Sequence, residues 1–138
     1  MKTLLLYLFL TTSVYAYEEK ELVAAVLIAE AGGEGRKGME AVNEVIVERS
    51  TARKQSLAHI VTAKWQFSCL NKRTPDELIA IAKKRANWNE ALDVVKKPLT
   101  KHTAHANHYF ATWMKSPPHW AEGRKPVATI GQHAFYRL

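Results

Sequence analysis

The stretch Leu22-Val-Ala-Ala-Val-Leu-Ile-Ala-Glu-Ala-Gly-Gly-Glu-Gly-Arg-Lys-Gly38 decides how this chain folds. An apolar helical pattern starts at Leu22 and runs into two glycines. Counting back from Glu30 at about 100° per residue, Val23, Val26 and Leu27 fall within about 60° of its direction. Glu30 therefore lies on the buried side of its own helix, within a turn of the C-terminal end. Burial and the partial negative charge of a helix end both disfavour an ionised carboxylate. A carboxyl that keeps its proton near neutral pH can act as a general acid. Glu34 lies past the glycines, near the start of the next helix, where the dipole favours a charged carboxylate instead. From spacing alone, a glutamate that borders the core and simply reaches water fits Glu30 equally well.

Working outward, the first helix is expected over 18–31, with Leu22, Val23, Val26 and Leu27 facing inward. Gly32 and Gly33 should end it through a left-handed C-cap. A second helix follows from about Arg36 to about Ala52, with Met39, Val42, Val45 and Ile46 at helical spacing. Two antiparallel helices joined by a short glycine loop would hold Glu30 at the rim of a shared groove. One or two helical turns fit Ser56 to Ala63. The aromatic run Trp65 to Asn71 reads as a loop bordering the groove. Thr74-Pro75-Asp76-Glu77 is a strong helix start, with a capping threonine, proline at the first position and a capping-box glutamate. Leu78, Ile81 and Ala82 begin that helix's inner face, Leu92 and Val95 continue it, a bend fits near Asn87-Trp-Asn89, and Pro98 ends the pattern. Histidines and aromatics crowd the last third, where short strands fit near His108–Thr112 and Gln132–Arg137.

Residues 1–16 read as a secretory signal: Lys2, the apolar run Leu4 to Leu10, and a Val14-Tyr15-Ala16 cleavage site. The run is short for a membrane span, although an uncleaved anchor is the alternative. Residues 17–138 then have the size of one domain. Cys69 is the only cysteine, so no disulfide can form within the chain, and its apolar neighbours point to an inert buried thiol. The formal charge is +7, a sign that suits a cell wall, a membrane surface or nucleic acid.

His102, His105 and His108 spread over roughly 120° on a helix, and on a strand His105 faces away from the other two. Neither geometry gathers metal ligands, and no His-Glu-x-x-His motif is present, so no metal or other cofactor is read here. No Gly-x-Ser-x-Gly elbow supports a serine hydrolase. Aromatic faces beside hydrogen-bond donors in the last third suit a sugar-binding groove.

Glu30-Ala-Gly-Gly-Glu-Gly-Arg-Lys-Gly38, followed by Ala41-Val42, Val45-Ile46 and Arg49, resembles the opening of the cell wall hydrolase family of the spore cortex-lytic enzymes (SleB/CwlJ type). Gln66-Phe67-Ser68-Cys69, Ala106-Asn107-His108-Tyr109-Phe110-Ala111, Trp120-Ala121 and Ile130-Gly131-Gln132-His133-Ala134-Phe135-Tyr136-Arg137 are similar to that family's later motifs, in the same order. Three positions depart from its pattern: Gly32 stands for an arginine, Phe110 for a second histidine, and Glu48 for the asparagine before Arg49.

The resemblance implies a predominantly helical α+β, lysozyme-like (lytic transglycosylase-like) single domain over 17–138 with a small β region. It implies cleavage of the β-1,4 bond between N-acetylmuramic acid and N-acetylglucosamine in peptidoglycan. The catalytic residue would be Glu30. Substrate contacts are expected at Glu34, Gln66, Phe67, Ser68, His108, Tyr109, Trp120, His133, Phe135 and Tyr136. A lytic transglycosylase would close a 1,6-anhydro ring on the muramic acid; a hydrolytic muramidase would pair Glu30 with Glu34; a wall-binding protein would keep the groove without turnover. The expected partner is the glycan strand of peptidoglycan, with no nucleic acid, no membrane insertion after signal cleavage, and a monomer exported to the periplasm or the cell wall.

Overall fold

The computed structural model describes residues 17–138, so the secretory signal read at 1–16 lies outside the described residues. The chain is predominantly helical with a small sheet. Helix α1 spans Glu19–Ala31, α2 Gly35–Arg53, α3 Leu57–Thr62, α4 Pro75–Lys83 and α5 Trp88–Lys96. Strands β1 (His108–Ala111), β2 (Ala128–Ile130) and β3 (His133–Tyr136) form an antiparallel sheet in the order β1-β3-β2.

Leu22, Val23, Ala24, Ala25, Val26 and Leu27 are all fully buried. The stripe expected from the sequence is thus a helix enclosed on every side along its middle, with α2, α3, α4 and α5 packed around it. A helix apolar all round belongs inside, and Ala24 and Ala25 leave room for close neighbours. From α2, Met39, Val42, Val45 and Ile46 complete the core as their spacing predicts.

The glycines act differently from the expectation. Gly32 stays right-handed at φ −58° and its N–H still reaches Ile28 O, so the helix tightens into a 3₁₀ turn over Gly32–Glu34. The left-handed residue is Gly35, at φ 74°. It is there that the chain turns into α2.

The capping box at α4 is formed in full. Thr74 Oγ1 accepts from Glu77 N–H, and Glu77 Oε2 accepts from Thr74 N–H at 2.9 Å. Leu78, Ile79 and Ala82 face inward while Ile81 is exposed. Both triplets have helical spacing, and docking onto α1 selected the one containing Ile79. The bend near Asn87 is a complete break between α4 and α5, where Asn87 Nδ2 donates to Gly32 O.

Three glutamates one turn apart on α2 hold the segment that leads into β1. Glu44 is only 4% exposed. Its Oε2 accepts from Thr100 Oγ1 and His102 N, and its Oε1 from Thr103 N and Oγ1, at 3.1–3.2 Å. Glu40 Oε2 lies 2.7 Å from His102 Nε2, and Glu48 Oε2 lies 3.3 Å from His105 Nδ1. Burial opposes the charge on Glu40, but hydrogen bonds from His102 and Arg36 outweigh it and hold its pKa below the ordinary value. His102, His105 and His108 therefore have three separate partners, His108 Nδ1 meeting Asn107 Oδ1.

The sheet follows from this anchored segment. β1 and β3 lie where the alternation placed them, with Tyr109 opposite Phe135 and Ala111 opposite His133. β2 carries no alternation long enough to announce itself. It pairs with β3 through a two-residue hairpin loop, Gly131-Gln132, whose glycine sits at φ 56°.

Candidate active site

The end of α1 and the centre of β1 meet at one hydrogen bond. Tyr109 OH donates to Glu30 Oε2 at 3.0 Å. Both residues line a cleft of about 870 Å³, together with the 3₁₀ turn after α1, the loop 65–68, and the segment that follows β1. Burial pushes the Glu30 pKa up, opposed by the Tyr109 hydrogen bond and by the positive charge His133 can carry. The Tyr109 phenol is driven well above its ordinary value, first by burial and then by the charge of Glu30. It remains a hydrogen-bond donor throughout the physiological range.

Glu34 is built into a slot. Its Oε2 lies 2.8 Å from His133 Nδ1, and its other oxygen accepts from Gln132 N–H. When Glu34 is ionised its carboxylate can only accept, and this bond then takes its proton from His133 Nδ1. Two glycines make room for it. A Cβ on Gly131 would stand 2.7 Å from Glu34 Oε1, and one on Gly38 would stand 2.6 Å from Glu34 Cβ. His133 in turn meets the edge of the Tyr109 ring at a centroid distance of 5.2 Å. Glu34, His133, Tyr109 and Glu30 thus form one connected row along the cleft.

Of the contacts expected from the sequence, Glu34, Gln66, Ser68, Tyr109, Trp120 and His133 line the cleft. Four do not. Phe67 and Phe135 lie in the core, 2% and 1% exposed. Tyr136 points to the opposite face of the sheet, where it packs against Phe110 and Trp120, two residues that also reach the cleft. His108 packs at a tilt against Trp120 and is not a cleft residue. Strand alternation explains the split among the residues of the sheet. His133 and Phe135 share a face with Tyr109, but only His133 lies at the open end, while His108 and Tyr136 point the other way.

Several cleft residues escaped the sequence reading as contacts: Arg49, Trp65, Trp113, Met114 and Gln132. Trp65 and Trp113 are each 72% exposed, an unusual cost for so large an apolar side chain unless something covers it. Trp65 also holds a left-handed backbone, φ 65°, a conformation that bulky residues seldom adopt and that collects at functional sites. Arg49 stands in the resembling motif quoted above, and that was the available signal. Cys69 is half-buried, and burial together with the nearby Glu30 pushes its thiol up to about 11. It is protonated at neutral pH, as its apolar neighbours suggested.

A family model described as Cell Wall Hydrolase matches residues 33–136. The match begins just past Glu30 and takes in Glu34, Gln66, Tyr109 and His133. No curated protein and no solved structure matches the chain.

The Glu34 slot makes a prediction of sign. Glycine to alanine within a helix ordinarily stabilises by about 0.5–1 kcal/mol. Gly38→Ala, although inside α2, should instead destabilise, because the new methyl meets Glu34 Cβ. A urea midpoint at or above that of the parent protein would contradict the slot.

Proposed function

The chain belongs to the cell wall hydrolase family, and we propose that it cleaves the β-1,4 bond between N-acetylmuramic acid and N-acetylglucosamine as a lytic transglycosylase, with Glu30 as its single general acid and base. The observation that carries this reading is the Glu30 carboxyl itself. It is desolvated, faces a cleft large enough for sugars, and has one oxygen fixed by Tyr109 OH.

In the first step Glu30 gives its proton to the glycosidic oxygen as the bond to the muramic acid C1 breaks. Positive charge develops on that sugar ring, and the carboxylate left behind is stabilised by the Tyr109 hydrogen bond and by the charge available on His133. In the second step the C6 hydroxyl oxygen of the same sugar attacks C1. Glu30 takes the hydroxyl proton, and the 1,6-anhydro ring closes with the acid restored.

A two-carboxylate glycosidase would need a partner free to activate water or attack C1. Glu34 is the candidate by position, but both its oxygens are engaged by Gln132 and His133. This supports a positioning role for Glu34 and the anhydro product over hydrolysis. The exposed rings of Trp65 and Trp113 offer apolar faces for sugar rings, beside the polar groups of Gln66 and Ser68.

Export completes the proposal. The pattern at 1–16 supports secretion, the +7 charge suits an anionic wall, and a single copy holds all the groups the mechanism uses. Among the described residues no helix is long and apolar enough to cross a membrane.

Glu30→Gln should keep the fold and lose at least about 10²-fold in digestion of purified peptidoglycan, the lower end of what a positioned acid contributes. A raised folded pKa means that the native state loses stability as pH rises through it. The neutral amide removes that loss, so the variant's melting temperature at pH 7 should not fall below the parent's. Mass spectrometry of the parent's products should show ends one water lighter than hydrolysed ones. Digestion by Glu30→Gln at the parent rate would overturn the assignment, and hydrolysed ends would return Glu34 to the role of partner.

Tyr109→Phe removes the hydrogen bond that holds the Glu30 pKa down. A general acid works while protonated, so the alkaline limb of the pH–rate profile should move to higher pH in this variant, whatever happens to the maximal rate. A limb that stays put or moves to lower pH would show that Tyr109 does not act on Glu30.

A further inference from the structure

Arg49 is a cation placed in the cleft without an anion. It lies in the last turns of α2, half-buried, and lines the cleft with Gln66 and Tyr109. Its Nε donates to Asn107 O at 2.8 Å and its Nη1 to Gln66 Oε1 at 3.3 Å. Both acceptors are neutral. Among the described residues no carboxylate pairs with it, and its neighbour Glu48 is turned to His105. Burial weakens its hold on its proton; Tyr109 opposes that effect and the nearby Arg53 adds to it. The same two arginines reinforce burial in lowering the His108 pKa. Among the residues lining the cleft Arg49 is the only arginine or lysine, while Glu30 and Glu34, the latter engaged by Gln132 and His133, are its carboxyl groups.

A partly desolvated guanidinium is costly unless an anion meets it. Arginine presents several N–H donors in a planar fork, and two acceptors leave others unused. A fork of this kind matches a carboxylate. A glycan strand of peptidoglycan carries carboxylates on its muramic acid side only, as the lactyl group or on the attached peptide.

We infer that Arg49 recognises a carboxylate hanging from the muramic acid, either the free lactyl group or a group of the stem peptide, and so sets which sugar occupies its end of the cleft. This rests on the glycosidase reading above and adds to it a preference for substrate bearing that charge. The competing role is a latch, in which Arg49 only ties α2 to the backbone before β1.

The full chain carrying Glu30→Gln, which binds without turnover, would be titrated calorimetrically with four tetrasaccharides. These are a muramic acid tetrasaccharide with stem peptides, the same without peptides, the latter with its lactyl carboxyls converted to methylamides, and chitotetraose. At least one carboxylate-bearing ligand should bind about ten-fold or more tightly than the methylamide and chitotetraose, the size of a charge-assisted hydrogen bond. Whichever it is names the source of the carboxylate. Adding Arg49→Gln should abolish that gap, by weakening the carboxylate-bearing ligand more than the methylamide and chitotetraose.

Equal binding of all four ligands overturns the inference while leaving the glycosidase reading in place, and needs no Arg49 variant. A gap that survives Arg49→Gln also overturns it, as does equal weakening of every ligand, the signature of a latch. Binding of none of the four overturns the inference and the glycosidase reading together. Should Arg49→Gln fail to fold, the four ligands on the Arg49 protein decide alone.

Discussion

The hydrogen bond from Tyr109 to Glu30 joins two parts of the chain that have little else in common. One end sits in the last turn of a helix enclosed by four others, the other in the middle of a short strand. Neither partner would be in place without its own support. Glu30 is held because the run Leu22 to Leu27 leaves α1 no freedom to shift in the core. Tyr109 is held because the segment before β1 is fastened to α2 by Glu40, Glu44 and Glu48, and because Phe135 packs against its ring at 5.5 Å. The carboxyl is thus desolvated and aimed at once, and neither condition alone would make it a useful acid.

The same logic explains why two glutamates four residues apart have different surroundings. Glu30 has one partner and a cleft in front of it. Glu34 has both oxygens occupied, stands in a slot cleared by Gly38 and Gly131, and holds His133 against the Tyr109 ring. The chain spends glycine at two positions to seat one carboxylate. In α2 that choice forgoes the better helix propensity of alanine. The benefit is a fixed histidine near Glu30, where positive charge on its ring opposes the effect of burial.

What was legible in the sequence was local. The α1 pattern, the spacing of Met39, Val42, Val45 and Ile46, the Thr74 capping box and the placement of Glu30 near a helix end all depend on residues within a few positions of one another. The inward choice of Ile79 over Ile81 was not, since two helical triplets were equally good until α1 selected one. Nor could alternation alone say that His133 opens to the cleft while Phe135, two residues on, is core. The Glu44 clamp and the Glu34 slot join residues more than fifty positions apart, and the role of Gly131 becomes visible only with Glu34 beside it. Gly32 shows the reverse error: a familiar local signal for a left-handed cap, which the chain instead delays to Gly35 by tightening the helix.

The central claim is that Glu30 holds its proton more firmly than an ordinary glutamate while it faces the cleft. Its side-chain carboxyl can be followed directly by carbon-13 NMR across a pH titration of the unsubstituted protein. The account predicts a midpoint above the ordinary value of 4.5, because burial outweighs the Tyr109 hydrogen bond and the His133 charge. A midpoint at or below 4.5 would mean that the carboxyl is ionised before any sugar arrives, and would contradict it.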